Sequence, residues 1–79
     1  MSLFTLNEIE QAVTLVHAAM PPTPQYAWPQ ICEKASADVW VKHENHTPTG
    51  AFKIRGGITF IDWLRRAHPD VTGIVTATR

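Results

Sequence analysis

The lysine at position 53 has neighbours that a solvated surface lysine does not need. It lies between Phe52 and Ile54, follows a Thr-Gly pair, and precedes Arg55 and two glycines. A lysine amine attacks an aldehyde only when uncharged, and a reference pKa of about 10.4 leaves very little neutral amine at pH 7. Lowering that pKa by about three units requires a bias of about 4 kcal/mol against the charged form. A nucleophilic Lys53 therefore requires that its neighbours supply such a bias.

Three local features have the required sign. A helix start disfavours a nearby cation by about 0.3–1 kcal/mol. Arg55 would repel the ammonium if its side chain pointed the same way. Phe52 and Ile54 would exclude water, and desolvation is the one effect that reaches several pKa units. We predict that desolvation decides whether Lys53 is nucleophilic. The alternative is an ordinary solvated lysine near a helix start.

Glycines flank the lysine on both sides. Gly50 gives the backbone the freedom to turn sharply before a helix. Gly56 and Gly57 each cost a helix about 1 kcal/mol relative to alanine. Such a pair inside a helix indicates close packing or a bound group.

Sequence patterns place the lysine between secondary-structure elements. Thr5 to Glu8 fits a capping box at the start of a helix over residues 6–20, which Pro21-Pro22 ends. Residues 21–30 are proline-rich and read as extended chain. Residues 31–38 are ambiguous, with a short strand and a turn as one interpretation.

A strand over residues 39–42 precedes the loop that leads to Lys53. A second helix is predicted over residues 51–66, with apolar side chains around much of its circumference, and a buried strand over residues 73–78. Strand, helix and strand in this order predict an α/β fold with one βαβ crossover and parallel strands. Parallel sheets are buried on both faces. We therefore expect residues 1–79 to be one incomplete unit, the N-terminal part of a larger domain.

Composition excludes several classes of function. The chain has 79 residues, seven basic and seven acidic side chains and one cysteine, Cys32. Balanced charge argues against nucleic acid as a partner. The sequence contains no apolar run of membrane-spanning length and no signal-peptide pattern, so we expect a cytoplasmic protein without a membrane partner. His43, Glu44 and His46 lack the spacing of a zinc motif, so we expect no metal site there.

The string VKHENHTPTGAFKIRGG, residues 41–57, resembles the lysine segment of fold-type II pyridoxal-phosphate enzymes, which share the tryptophan synthase β-like fold. Within them it is most similar to the threonine/serine dehydratase and serine racemase branch, which typically reads K-x-E-x-x-x-P-T-G-S-F-K-x-R-G-[AG]. The positions that match are Lys42, Glu44, Pro48, Thr49, Gly50, Phe52, Lys53, Arg55 and Gly56. Thr23-Pro24 and the final GIVTATR also look like segments of that family. Ala51 and Arg79 depart from its pattern.

The resemblance implies a cofactor, a reaction and roles for three residues. Lys53 would form the internal aldimine, a Schiff base, with pyridoxal 5'-phosphate and would then act as general base on the substrate α-proton. Phe52 would pack near the cofactor ring, and Thr78 would begin the substrate-carboxylate loop. The implied reaction is β-elimination from a hydroxyamino acid such as threonine or serine, giving a 2-oxo acid and ammonia. Family members are typically homo-oligomers.

The predicted elements divide the chain into three parts: a helical arm over residues 1–20, an extended segment over 21–38, and the βαβ unit over 39–79. Family residues that bind the cofactor phosphate would lie beyond Arg79, so we expect the 79-residue chain alone to be inactive. A different class of function stays open beside the enzyme. The exposed apolar helix could instead dock a non-catalytic module onto a partner.

Overall fold

The computed structural model describes residues 2–77 and shows a mixed α/β arrangement. The elements in chain order are α1 (Leu6–Ala19), β1 (Gln25–Ala27), α2 (Pro29–Ala35), β2 (Trp40–Lys42), a 3₁₀ turn (Glu44–His46) and α3 (Ile54–Ala67).

Helix α1 begins and ends where the sequence predicts. The Thr5 hydroxyl accepts a hydrogen bond from the backbone N–H of Glu8 at 3.2 Å, and the Glu8 carboxylate accepts one from the N–H of Thr5 at 2.6 Å. This confirms the capping box. The helix ends at Ala19, and Met20 takes an extended backbone conformation. One face of α1 packs against α3 and buries Val16 and Met20.

The sheet consists of β1 and β2, paired antiparallel. Gln25 lies opposite Lys42, and Ala27 lies opposite Trp40. The predicted strand over residues 39–42 is confirmed for its last three residues, and β1 lies in the segment predicted to be extended.

Helix α2 corrects the prediction of a short strand and turn over residues 31–38. Pro29 occupies the start of this helix, where its fixed φ is favourable and its missing N–H costs nothing. Ser36 ends the helix in the left-handed region at φ 52°. The thiol of Cys32 then accepts a hydrogen bond from the N–H of Val39 at 3.3 Å. Seven residues are too few to show a clear helical period in the sequence.

The predicted parallel crossover is not confirmed. Strand β2 pairs with β1 and not with residues 73–77, which form no strand within the described chain. A lone parallel pair would leave both faces of the sheet uncovered, whereas parallel sheets occur buried on both sides. The predicted second helix is present as α3, starting three residues later than predicted.

The chain leaves much apolar surface uncovered. Its accessible surface is 6998 Å², against about 4,800 Å² for a compact protein of this size. Its radius of gyration is 16.5 Å, against about 12 Å for a compact domain. On α3, Phe60 and Trp63 are each 47% exposed. The prediction that α3 carries more apolar surface than this chain can bury is confirmed. Between residues 2 and 77, no helix is long and apolar enough to cross a membrane.

We predict that the isolated 79-residue chain unfolds without a cooperative thermal transition, because so few of its side chains are buried. Differential scanning calorimetry and far-ultraviolet circular dichroism measure this. A cooperative domain of this length would absorb about 55 kcal/mol at its midpoint. A sharp transition with that enthalpy would contradict the prediction.

Candidate functional site

A buried threonine hydroxyl fixes the loop that leads to Lys53. Thr47 Oγ1 accepts a hydrogen bond from the N–H of Ala51 at 3.0 Å and donates one to the Ala51 carbonyl at 2.8 Å. The N–H of Gly50 donates to the Thr47 carbonyl at 2.9 Å, which closes a turn with Pro48 at its second position. Gly50 has φ +71°, a conformation that favours glycine. The turn therefore sets where the chain enters α3.

Three side chains from separate segments meet beside this turn: Thr23, Glu44 and Arg55, together called the Glu44 clamp. Arg55 Nε donates to Glu44 Oε2 at 2.7 Å, and Arg55 Nη2 donates to Glu44 Oε1 at 3.0 Å. The Thr23 hydroxyl also donates to Glu44 Oε1, and Thr23 is 8% exposed. A two-pronged guanidinium–carboxylate pair is among the stronger polar contacts in proteins.

The Glu44 clamp shifts the titration of its two charged members. The hydrogen bond from Arg55, followed by the one from Thr23, lowers the pKa of Glu44 from 4.5 to about 2. The same contact with Glu44 raises the pKa of Arg55. Lys42 Nζ lies 3.8 Å from Glu44 Oε1 and adds a weaker attraction. Because Arg55 is paired with Glu44, the repulsion of Lys53 that depended on its orientation is not supported.

Lys53 occupies the N-cap position of α3 and is exposed. Its side chain lines an open groove of about 1380 Å³ between α3 and residues 74–77, with Ile58 and Ile61 among its apolar lining residues. Phe52 is 65% exposed, so the two residues do not form a closed apolar pocket. The desolvation predicted for Lys53 is therefore not provided by residues 2–77.

The two glycines of α3 line the same groove. A Cβ atom built on either Gly56 or Gly57 would have no non-helical neighbour within 4 Å. The packing of this chain therefore does not require glycine at either position. The open space beside them agrees with the predicted approach of another group to the first turns of α3.

An aldehyde cofactor with a planar ring fits this groove in two respects. Lys53 brings a primary amine to an apolar concavity, and the bare helix backbone at Gly56 and Gly57 admits a close neighbour. Phe52 is largely exposed but is not among the residues that line the groove, so its packing near the cofactor ring stays a prediction. Thr78 lies outside the described residues, so its predicted contact with a substrate carboxylate stays a prediction.

The histidines before the lysine loop make other contacts. His43 Nε2 accepts a hydrogen bond from Trp28 Nε1 at 2.8 Å, and the His43 ring centroid lies 5.7 Å from that of His46. Both carboxylate oxygens of Glu44 are engaged by the clamp. Over the described range 2–77, no group of three His, Cys, Asp or Glu residues is placed to hold a metal ion.

Two residues that shape the site carry little signal in the sequence. Thr47 is marked only by its place before a proline. Thr23 stands out only for its resemblance to a family segment, and its contact with Glu44 spans 21 positions. The matched motif positions Glu44 and Arg55, by contrast, do come together in space.

The chain is similar to the biosynthetic L-threonine dehydratase IlvA of Haemophilus influenzae. The two are 27% identical over 73 residues, which is 92% of this chain and 14% of that enzyme. The chain thus spans about a seventh of the length of the relative it matches. No protein-family model matches the chain, and no solved structure matches it.

We predict that Glu44 titrates near pH 2 and that the stabilising effect of the clamp declines between about pH 4.5 and about pH 2. Because the folded pKa is lowered, this contribution is fully present above about pH 4.5 and is lost as pH falls through about 2. Carbon-13 NMR of the Glu44 carboxylate measures the titration. Arg55→Gln should move the Glu44 pKa towards 4.5, and Arg66→Ala should not. An unchanged pKa in Arg55→Gln would contradict the assigned cause.

We predict that Gly56→Ala and Gly57→Ala each stabilise α3 in the 79-residue chain, by about 0.5–1 kcal/mol. The added methyl groups meet open space, so only the helix propensity changes. Alpha-carbon chemical shifts across α3 report its helical population. Gly50→Ala is the matched contrast and should disturb the turn, since its φ is +71°. A lower helical population in both α3 variants would show that these glycines are needed by the chain itself.

Proposed function

We propose that this chain belongs to a pyridoxal-phosphate-dependent ammonia-lyase that acts on a hydroxyamino acid such as threonine or serine. The observation that carries the proposal is the position of Lys53. It lies at the start of α3 on an apolar groove, between a turn fixed by Thr47 and the Glu44 clamp. The similarity to a biosynthetic threonine dehydratase supports the same reaction class.

Lys53 has two tasks in the proposed reaction. Its Nζ would hold the cofactor and, when free, would accept the α-proton of the amino acid. The cofactor, when bound, would supply an electron sink for the pair of electrons left on the α-carbon. The proton accepted from the α-carbon would balance the one that the β-hydroxyl needs to leave as water, and hydrolysis of the product would yield a 2-oxo acid and ammonia. Phe52 would pack near the cofactor ring, and Thr78 would contact the substrate carboxylate.

The chemistry requires that more protein cover the groove. A lysine must be neutral to attack an aldehyde, and desolvation is the effect that favours the neutral form most strongly. We propose that residues 1–79 form the N-terminal part of a fold-type II catalytic domain. In it, residues 73–78 would become the second parallel strand once neighbouring strands are present. The excess of accessible surface, 6998 Å² against about 4,800 Å², supports such a covering. Assembly into homo-oligomers stays a prediction.

A docking module is the second candidate, favoured by the exposed aromatic side chains of α3. Phe60 and Trp63 pack with ring centroids 5.8 Å apart and both face solvent in part. Exposed apolar clusters of this kind commonly mark binding surfaces. A docking module would not need a nucleophilic lysine, which separates the two candidates experimentally.

We predict selective attachment of pyridoxal phosphate to Lys53 in the complete polypeptide that its gene encodes. The protein is incubated with the cofactor, reduced with borohydride, digested and mapped by mass spectrometry. The chain has three lysines in the described range, Lys34, Lys42 and Lys53, so two serve as internal references. We expect the adduct on Lys53 to exceed each reference by at least about tenfold, because desolvation favours the neutral, nucleophilic form of an amine.

Lys53→Arg and Lys34→Arg form a matched pair for this experiment. Lys53→Arg should abolish the selective adduct and the release of 2-oxo acid from threonine or serine, whereas Lys34→Arg should retain both. Equal adducts on the three lysines, with no 2-oxo acid formed, would contradict the enzyme and favour the docking module.

A further inference from the structure

The side chains of Lys53 and Arg55 leave the start of α3 in nearly opposite directions. Lys53 has helical dihedral angles, φ −69° and ψ −14°, so helix geometry applies from this residue onwards. Residues two positions apart on an α-helix are rotated by about 200° about its axis. Whatever holds Arg55 on one side of the helix therefore turns Lys53 to the other.

The contacts that hold Arg55 would be lost if the first turn of α3 were rotated about the helix axis. Its guanidinium makes two hydrogen bonds to Glu44 and a longer one, 3.4 Å, to the Thr23 hydroxyl. The side chain of Arg55 is 27% exposed and that of Glu44 is 20% exposed. Rotating the first turn of α3 would separate a partly buried charge pair, and removing one partner of such a pair is costly.

The partners of Arg55 are themselves fixed to the small sheet. The N–H of His43, the residue before Glu44, donates to the carbonyl of Pro24, the residue after Thr23, at 2.8 Å. This bond continues the register in which Gln25 faces Lys42. Thr23 and Glu44 thus sit at the end of the β1–β2 ladder, and Arg55 connects α3 to that end.

We propose that the Glu44 clamp is a positioning device that sets the rotation of the first turn of α3 and thereby directs Lys53 into the groove. None of its three residues lines the groove itself, so they act through the helix and not on the reacting atoms. The proposal rests on the proposed function for its chemical consequence. It also makes a claim about backbone geometry that holds without the cofactor.

Conservative substitutions separate geometry from charge. Arg55→Lys keeps the positive charge but loses the planar two-pronged donor. Thr23→Val removes the hydroxyl at nearly constant shape, and Thr23→Ser restores it. Arg66→Ala is the matched control, because it breaks an ion pair at 2.9 Å on the same helix with Asp62, a groove-lining residue nine positions after Lys53 and outside the clamp.

Two measurements on the complete polypeptide test the proposal. Hydrogen exchange followed by mass spectrometry reports peptides that span residues 49–57, including the Gly57 N–H bonded to the Lys53 carbonyl at 3.0 Å. Borohydride trapping of pyridoxal phosphate reports the ratio of adduct on Lys53 to adduct on Lys34. We expect Arg55→Lys to speed exchange in 49–57 and lower the ratio, each by about five- to tenfold.

The milder variants keep the test decisive if Arg55→Lys fails to fold. Thr23→Val should change both readouts by about threefold, Thr23→Ser should restore them, and Arg66→Ala should leave them unchanged. If the unmodified protein is selective for Lys53 and the clamp variants keep that selectivity, the positioning role is overturned and the enzyme proposal stands.

The same measurements also identify a failure of the enzyme proposal that leaves the positioning proposal intact. If the unmodified protein shows no preference for Lys53, the enzyme proposal fails. Faster exchange in 49–57 on clamp substitution would then still support the positioning of α3, and unchanged exchange would overturn it.

Discussion

The two-pronged ion pair between Glu44 and Arg55 is the contact on which the arrangement around Lys53 depends. It joins the turn after β2 to the first turn of α3, and the Thr23 hydroxyl joins both to the stretch before β1. The pair lowers the pKa of Glu44 to about 2, so the carboxylate stays charged well below neutral pH. The clamp joins the two ends of the segment 44–55, and the Thr47 turn fixes its middle.

At this site, the position of Lys53 and the exclusion of water around its side chain have separate origins. The described residues fix where Lys53 stands, but they leave its side chain exposed beside an open groove. Burial is also what a reactive lysine most requires, because desolvation outweighs the helix-terminus effect. Gly56 and Gly57, with open space beside them, lie where a covering surface would pack. This chain sets the position of Lys53. We propose that the protein packed on the groove excludes water from its amine.

The elements that the sequence predicts correctly are those determined by interactions between residues close together in the chain. Three such elements are predicted from neighbouring residues and are observed: the capping box at Thr5, the strand ending at Lys42 and the core of α3. Helix α2 escapes prediction because its seven residues show no clear period. The antiparallel partner of β2 escapes it because pairing joins residues 17 positions apart, Gln25 and Lys42. The motif predicts that Glu44 and Arg55 matter, but only the folded chain shows that they contact each other.

A crystal structure of the complete polypeptide grown with pyridoxal phosphate tests the central proposal most directly. We expect continuous density between Lys53 Nζ and the cofactor, inside a closed cavity whose wall includes the groove face of α3. A structure in which Lys53 points into bulk solvent, with the cofactor absent or held elsewhere, would contradict it.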